Sequence, residues 1–220
     1  GQPYADLTRQ LNQPPSSDPA NPGMPSASRG YHSALSPTPD VMKWVQVDLG
    51  ESVELDRVTL LPSHDDFNGI GAGFGFPVRF KVEASDDPQF QTGVSLLWQK
   101  FDQTFMADFP NPGLSPFVTG GGKGDGISGR YVRVTVTKLA ARKDDFMFAL
   151  AELRVTDPSG KNIALNRPVT ALDAIESGVR WRKSNLTDGV APSSLSAEEK
   201  AALERTRDAL LMSLADAPTQ

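Results

Sequence analysis

The stretch from Lys43 to Pro62, K-W-V-Q-V-D-L-G-E-S-V-E-L-D-R-V-T-L-L-P, limits the possible folds more than any other. Trp44, Val45, Val47 and Leu49 form one run. Val53, Leu55, Val58 and Leu60 form a second, with charged residues between them. Alternation rich in β-branched residues makes strands with one buried face, and Gly50 marks the turn between them. The expected strands are 43–49 and 53–61.

The rest of the chain repeats this grammar. Pro77–Ala84, Leu96–Phe101, Arg130–Thr137 and Phe148–Thr156 read as further strands, with Val132, Val134 and Val136 inward. Asp86-Asp87-Pro88 ends one strand in a turn. Between them lies a segment of unusual composition, His64 to Phe76, whose glycines and aromatics suit neither a strand nor a helix interior. Residues 102–129 read as a long irregular connection. Residues 1–40 carry Pro14-Pro15, Pro19, Pro22, Pro25, Pro37 and Pro39 and are expected to form an extended arm. Near the other end, Ser196-Ala197-Glu198-Glu199 is a capping box opening a helix to about Ala215, with Leu203, Leu210, Leu211 and Leu214 as its stripe.

Composition narrows the function classes. The formal charge is −5 and no basic patch is visible, which argues against nucleic acid and anionic membrane surfaces. The absence of Cys removes disulfides, thiolate metal sites and Cys nucleophiles. No apolar run is long enough to span a membrane. The glycine run 120–126 lacks the spacing and context of a phosphate-binding loop and reads as a mobile loop. Catalysis has little support: there are two His, His32 and His64, with no nucleophile elbow and no HExxH motif. The chain is expected not to be an enzyme.

Three segments carry a family resemblance. Trp44-Val45-Gln46-Val47-Asp48-Leu49-Gly50, Gly129-Arg130-Tyr131-Val132-Arg133-Val134 and Ala151-Glu152-Leu153-Arg154-Val155 occur in the order seen in factor V/VIII type C (discoidin-like) domains. They are likewise similar to the related family 32 carbohydrate-binding modules of the galactose-binding-like fold. The resemblance covers roughly residues 25–156. It implies a mainly β protein, an antiparallel jelly-roll β-sandwich, here with a C-terminal helix. It also implies that Trp44 packs inside the sandwich. The expected organisation is an arm over 1–40, the sandwich over 41–157, a further segment over 158–192 and a helix or linker over 193–220. The segment 158–192 resembles the opening strand and Asp-Gly loop of such a domain, but arrives after the last strand. A lone strand–loop piece cannot bury its own apolar face. Ile163, Leu165 and Val169 are therefore expected to pack on the existing sandwich, with Trp181 and Leu186 sealing the join.

The resemblance also directs attention to the loop after Leu61-Pro62, which often holds sugar in family 32 modules. Sugars are held by aromatic faces and a few fixed polar groups. His64, Asp65, Asp66 and Asn68 supply polar groups; Phe67 and Phe74 supply faces, and Phe146 could join them from the loop before the last strand. The alternative for Phe74 and Phe76 is a plug at the bottom of the sandwich, and for Phe146 a hydrophobic strand start. Ser63 stands where an Arg could have served galactose-type recognition. Such modules often carry a structural Ca²⁺, and the matching residues are Asp188 and Glu152. The alternative for Glu152 is a buried carboxylate satisfied by backbone N–H groups or by Arg130. The expected function is non-catalytic carbohydrate binding within a larger bacterial exported protein, extracytoplasmic, with its signal peptide outside this sequence. Expected partners are a glycan and neighbouring domains, with no nucleic acid and no membrane insertion. The rival expectation is a structural module without a ligand, packed against a catalytic domain.

Overall fold

The computed structural model describes residues 28–99, 108–119, 126–192 and 205. The strands in chain order are β1 (Tyr31–His32), β2 (Lys43–Glu54), β3 (Arg57–Leu61), β4 (Ser63–Asp65), β5 (Gly71–Phe74), β6 (Arg79–Ser85) and β7 (Ser95–Gln99). They continue as β8 (Phe117–Thr119), β9 (Ser128–Lys138), β10 (Ala140–Ala141), β11 (Phe146–Met147), β12 (Ala149–Leu150), β13 (Glu152–Thr156) and β14 (Val169–Ala171). A five-stranded sheet, in the order β14-β2-β9-β6-β7, faces a three-stranded sheet, β13-β3-β8, and every pairing in both is antiparallel.

Side-chain parity explains the core. Val45, Val47 and Leu49 of β2 meet Phe80, Val82 and Ala84 of β6 and Val132, Val134 and Val136 of β9 in one buried cluster. Val58, Leu60, Leu153 and Val155 close it from the other sheet. At one end Phe76, Phe80, Phe109 and Phe117 pack with ring centroids 5.2–5.8 Å apart, mostly edge to face, as ring quadrupoles favour. Phe76 is thus the plug.

Trp44 is not part of that core. Val45 points inward, so its neighbour must point to the opposite face. Trp44 lies half-buried outside the inter-sheet cluster, under the Arg133 guanidinium, whose Cζ is 4.4 Å from the ring centroid. The turn expected at Gly50 is also displaced. β2 runs on to Glu54, with an irregularity between Asp48 and Val53 where Gly50 takes φ 92°. The chain reverses at Leu55 and Asp56, a step later. The connection 102–129 contains a strand that the pattern did not reveal, β8, paired with β3.

Residues 162–191 lie on the sandwich. Val169–Ala171 pairs with Val45–Val47 at the edge of the larger sheet. Ala164 and Leu186 enter the core, with Ile163 and Val169 packed at its margin. Leu165 departs from expectation: it is 47% exposed. Ile163 donates its N–H to Val155 and Ala164 is fully buried, so the next side chain turns outward. Trp181 forms a second cluster with Phe74, Met147 and Ala149. Of the arm expected over 1–40, residues 1–27 lie outside the described residues, as does the helix expected over 196–215 apart from Arg205.

Candidate functional site

The segment from Ser63 to Phe76 is a tight hairpin. β4 pairs with β5 around the 3-10 turn Phe67–Gly69. The glycines are what allow it. Gly73 has φ 78°, and a Cβ there would overlap the Asn111 carboxamide at 1.7 Å. Gly75 has φ 69°, and its Cβ would meet the Ala149 backbone N at 2.8 Å. In this left-handed region only glycine is relaxed. The close approach lets Ala149 donate its N–H to the Gly75 carbonyl, locking the second half of the hairpin against β12.

That lock divides the expected site residues. Phe74 is 2% exposed and is corrected from ligand contact to core. Its ring stacks on Trp181 at 5.7 Å and lies 5.8 Å from His32. His32 is buried and its pKa is lowered by desolvation, so the ring is neutral at ordinary pH. Phe146 is half-buried. It pairs with Ala141, exchanges backbone hydrogen bonds with Ser36, and its ring packs against the main core.

The first half of the hairpin turns outward. Phe67 is 43% exposed. The Arg142 guanidinium covers part of its ring, with Cζ 4.4 Å from the centroid. Asn68 holds φ 53° and donates from Nδ2 to the Arg142 carbonyl at 3.0 Å. Asp145 clamps the same guanidinium through two hydrogen bonds of 2.8 and 2.7 Å. That pairing holds the Asp145 carboxyl below the usual carboxylate range. Asp65 is not free for a ligand in the same way as its neighbour. Its carboxylate meets Arg29 at 2.9 Å and accepts the Phe67 N–H at 2.9 Å. The Asp66 side chain is 80% exposed, and its Oδ1 lies 3.7 Å from His64 Nε2. Among the described residues the buried His64 Nδ1 has no hydrogen-bond partner. The carbonyl of His64 accepts from Arg29 at 3.2 Å.

His64, Asp66, Phe67 and Asn68 thus form a polar–aromatic rim, with Arg142 and Arg29 beneath it. Neither Arg was singled out from the sequence. Arg142-x-x-Asp145 has the spacing of a local ion pair, a usable signal. Nothing in the sequence linked Arg29 to Asp65, 36 positions away.

At the join between β13 and the segment after β14, Glu152 and Asp188 come together. Glu152 is fully buried and accepts the Gly189 N–H at 3.1 and 3.2 Å through its two oxygens. Burial, with the Asp188 charge adding to it, pushes the Glu152 carboxyl up to about 9. Asp188 accepts from Ser28 Oγ and from the Val190 N–H, both at 2.8 Å. Arg130 does not serve Glu152; it makes a bidentate pair with Asp48 at 2.8 and 2.9 Å. Among the described residues no group of three or more His, Cys, Asp or Glu is gathered as a metal cage.

No protein-family model matches the chain, and no curated protein matches it. Solved structures do. One is the family 32 carbohydrate-binding module of NanJ from Clostridium perfringens, in complex with galactose. It is 14% identical, with 56% of this chain and 73% of that chain covered and a TM-score of 0.39. A second, CBM32-1 from a family 31 glycoside hydrolase of Clostridium perfringens, is 18% identical over 56% of this chain and 73% of that chain, TM-score 0.39. A third, chitosan-binding module 1 of a chitosanase/glucanase from Paenibacillus sp. IK-5, is 18% identical over 54% and 71%, TM-score 0.36. These three structures are family 32 or chitosan-binding modules, and each covers little more than half of this chain.

Proposed function

We propose that the chain is a non-catalytic carbohydrate-binding module of a larger exported, glycan-degrading protein, and that His64, Asp66, Phe67 and Asn68 form its ligand rim. The observation that carries this is Phe67. A large aromatic ring left 43% exposed, backed by a cation and flanked by a His and an Asn, is the arrangement that holds a sugar by its C–H face and its hydroxyls. The rival, a module without a ligand, draws support from the burial of Phe74 and Phe76. It predicts a buried Phe67 as well, and that ring is exposed. An extracytoplasmic location belongs to this reading. Among the described residues no helix is long and apolar enough to cross a membrane. The test is a glycan array with the 220-residue chain and Phe67→Ala. Binding by the first and not the second supports the rim; binding by neither favours the rival.

A structural Ca²⁺ belongs to the same proposal. The two acids supply donors of the right kind, hard carboxylate oxygens at close quarters, and the remaining oxygens would have to come from backbone carbonyls or water. Glu152 and Asp188 would hold it. A cation there would offset the burial that, with the Asp188 charge adding to it, keeps Glu152 protonated. Ca²⁺ is expected to raise the Tm of the wild type at pH 8 and not that of Glu152→Gln. Equal response of both would remove these residues from any ion site.

A further inference from the structure

A hollow of about 580 Å³, lined by polar and apolar residues alike, lies at the edge of the five-stranded sheet, and none of the rim residues lines it. Arg167, Pro168 and Val169 form one wall; Glu176, Lys183 and Ser184 contribute to the other. The wall is built to hold a shape. Asn166 sits in the left-handed region at φ 58°, a conformation uncommon outside glycine. Its N–H donates to the Thr187 carbonyl at 2.7 Å, and Thr187 Oγ1 donates to the Arg167 carbonyl at 2.8 Å. Asp48 donates its N–H to the Pro168 carbonyl at 3.0 Å, tying the wall to β2.

The cation in that wall is unspent. Arg167 is close enough to Asp48 to lower its pKa, but both Asp48 oxygens are already taken by Arg130. Among the described residues the Arg167 side chain has no hydrogen bond or ion pair. It lies across Gly50, where a Cβ would come within 2.8 Å of Nη1. Lys183 pairs with Glu176 at 3.1 Å, but both side chains are more than two-fifths exposed, so the pair is weak and screened. Two cations and one acid leave the hollow with one net positive charge on a chain of formal charge −5.

We propose that this hollow binds a carboxylated sugar, a uronate residue, either free or at a chain end. The Arg167 fork matches a carboxylate in two parallel hydrogen bonds. Lys183 adds a second positive charge. Glu176, Ser184 and Asn166 accept or donate to ring hydroxyls, and Pro168 with Val169 offers an apolar surface to the ring's C–H face. Glu176 disfavours a doubly charged anion, which separates a uronate from phosphate. The volume is that of a site for one small ligand.

The test is an amide chemical-shift titration of the whole chain with galacturonate, digalacturonate, galactose and inorganic phosphate. Galacturonate is expected to shift amides of residues 166, 167, 169 and 183–187 and to bind about tenfold or more tightly than galactose or phosphate. A tighter digalacturonate assigns the hollow to a chain end, and equal affinity assigns it to the free sugar. Arg167→Gln should weaken galacturonate at least about tenfold, whereas Phe67→Ala leaves it unchanged. Should Arg167→Gln fold poorly, the exposed Lys183→Gln should still weaken it several-fold. Phosphate binding as tightly as galacturonate, an unchanged affinity in both variants, or shifts confined to residues 64–68 would overturn the proposal. Failure of the Phe67 rim to bind neutral glycans leaves this result unaffected, because the two sites share no residue.

Discussion

Phe67 and Phe74 stand seven positions apart in one hairpin and meet opposite fates. Phe67 sits on the 3-10 turn, 43% exposed, with Arg142 over part of its ring. Phe74 sits where the hairpin is pinned to β12, and Trp181, arriving from more than 100 residues later, closes over it. Both belong to the same glycine-rich, aromatic segment. The difference teaches that composition marks a segment able to bend, while the surface that comes to lie on it decides which rings face solvent.

The strongest way to break this comparison is at Phe74. Phe74→Ala removes a ring from a closed cluster and is expected to cost about 3–5 kcal/mol in denaturant unfolding. A cost near that of a surface substitution would mean that Trp181 does not close the cluster. Next comes the lock itself. Gly75→Ala forces a left-handed φ on alanine against the Ala149 backbone and is expected to cost about 1–3 kcal/mol. An equal loss of glycan binding would show that the two halves of the hairpin act as one.

Acids sharpen the same contrast between buried and exposed. Glu152 holds its proton in the folded chain to about pH 9, well above its ordinary value of 4.5. A raised folded pKa means that the folded state binds more protons across that window. Its contribution to stability is complete below about pH 4.5 and is lost as pH rises towards 9. With chelator present, the Tm of the wild type is therefore expected to fall relative to Glu152→Gln as pH is raised across this range. A rising or parallel difference would refute the assignment. The smallest expected effect on stability is at Phe67. Phe67→Ala should change unfolding by no more than about 0.5–1 kcal/mol, yet abolish glycan binding. A large destabilisation there would make the exposed half of the hairpin structural after all.

Much of the sandwich was legible because burial on one face writes itself into a strand as alternation. β2, β6, β9 and β13 could be read from Val, Leu and Phe at every second position. The same rule, applied strictly, excludes Trp44 from the core, since Val45 beside it faces in, whereas the family resemblance implies the opposite. β8 was not legible. A three-residue strand is too short for a period, and its pairing with β3 is a long-range fact. At the site, the hairpin's glycines announced the bend, but not its partners. Arg29 and Arg142 carry no local mark of a role at the rim.

By itself, then, the amino-acid order determined the longer strands, the bend of the 64–76 segment and the need of residues 160–190 to borrow a core. These are local matters of parity, φ and apolar area, and they travel with each segment. Only the tertiary structure decided which aromatics are covered, which cations reach Phe67 and Asp65, and that Arg130 spends itself on Asp48 while Arg167 does not. Those outcomes depend on contacts between segments tens to more than a hundred residues apart. Burial, desolvation and charge pairing at such contacts are set by what arrives from elsewhere, and no local pattern encodes the arrival.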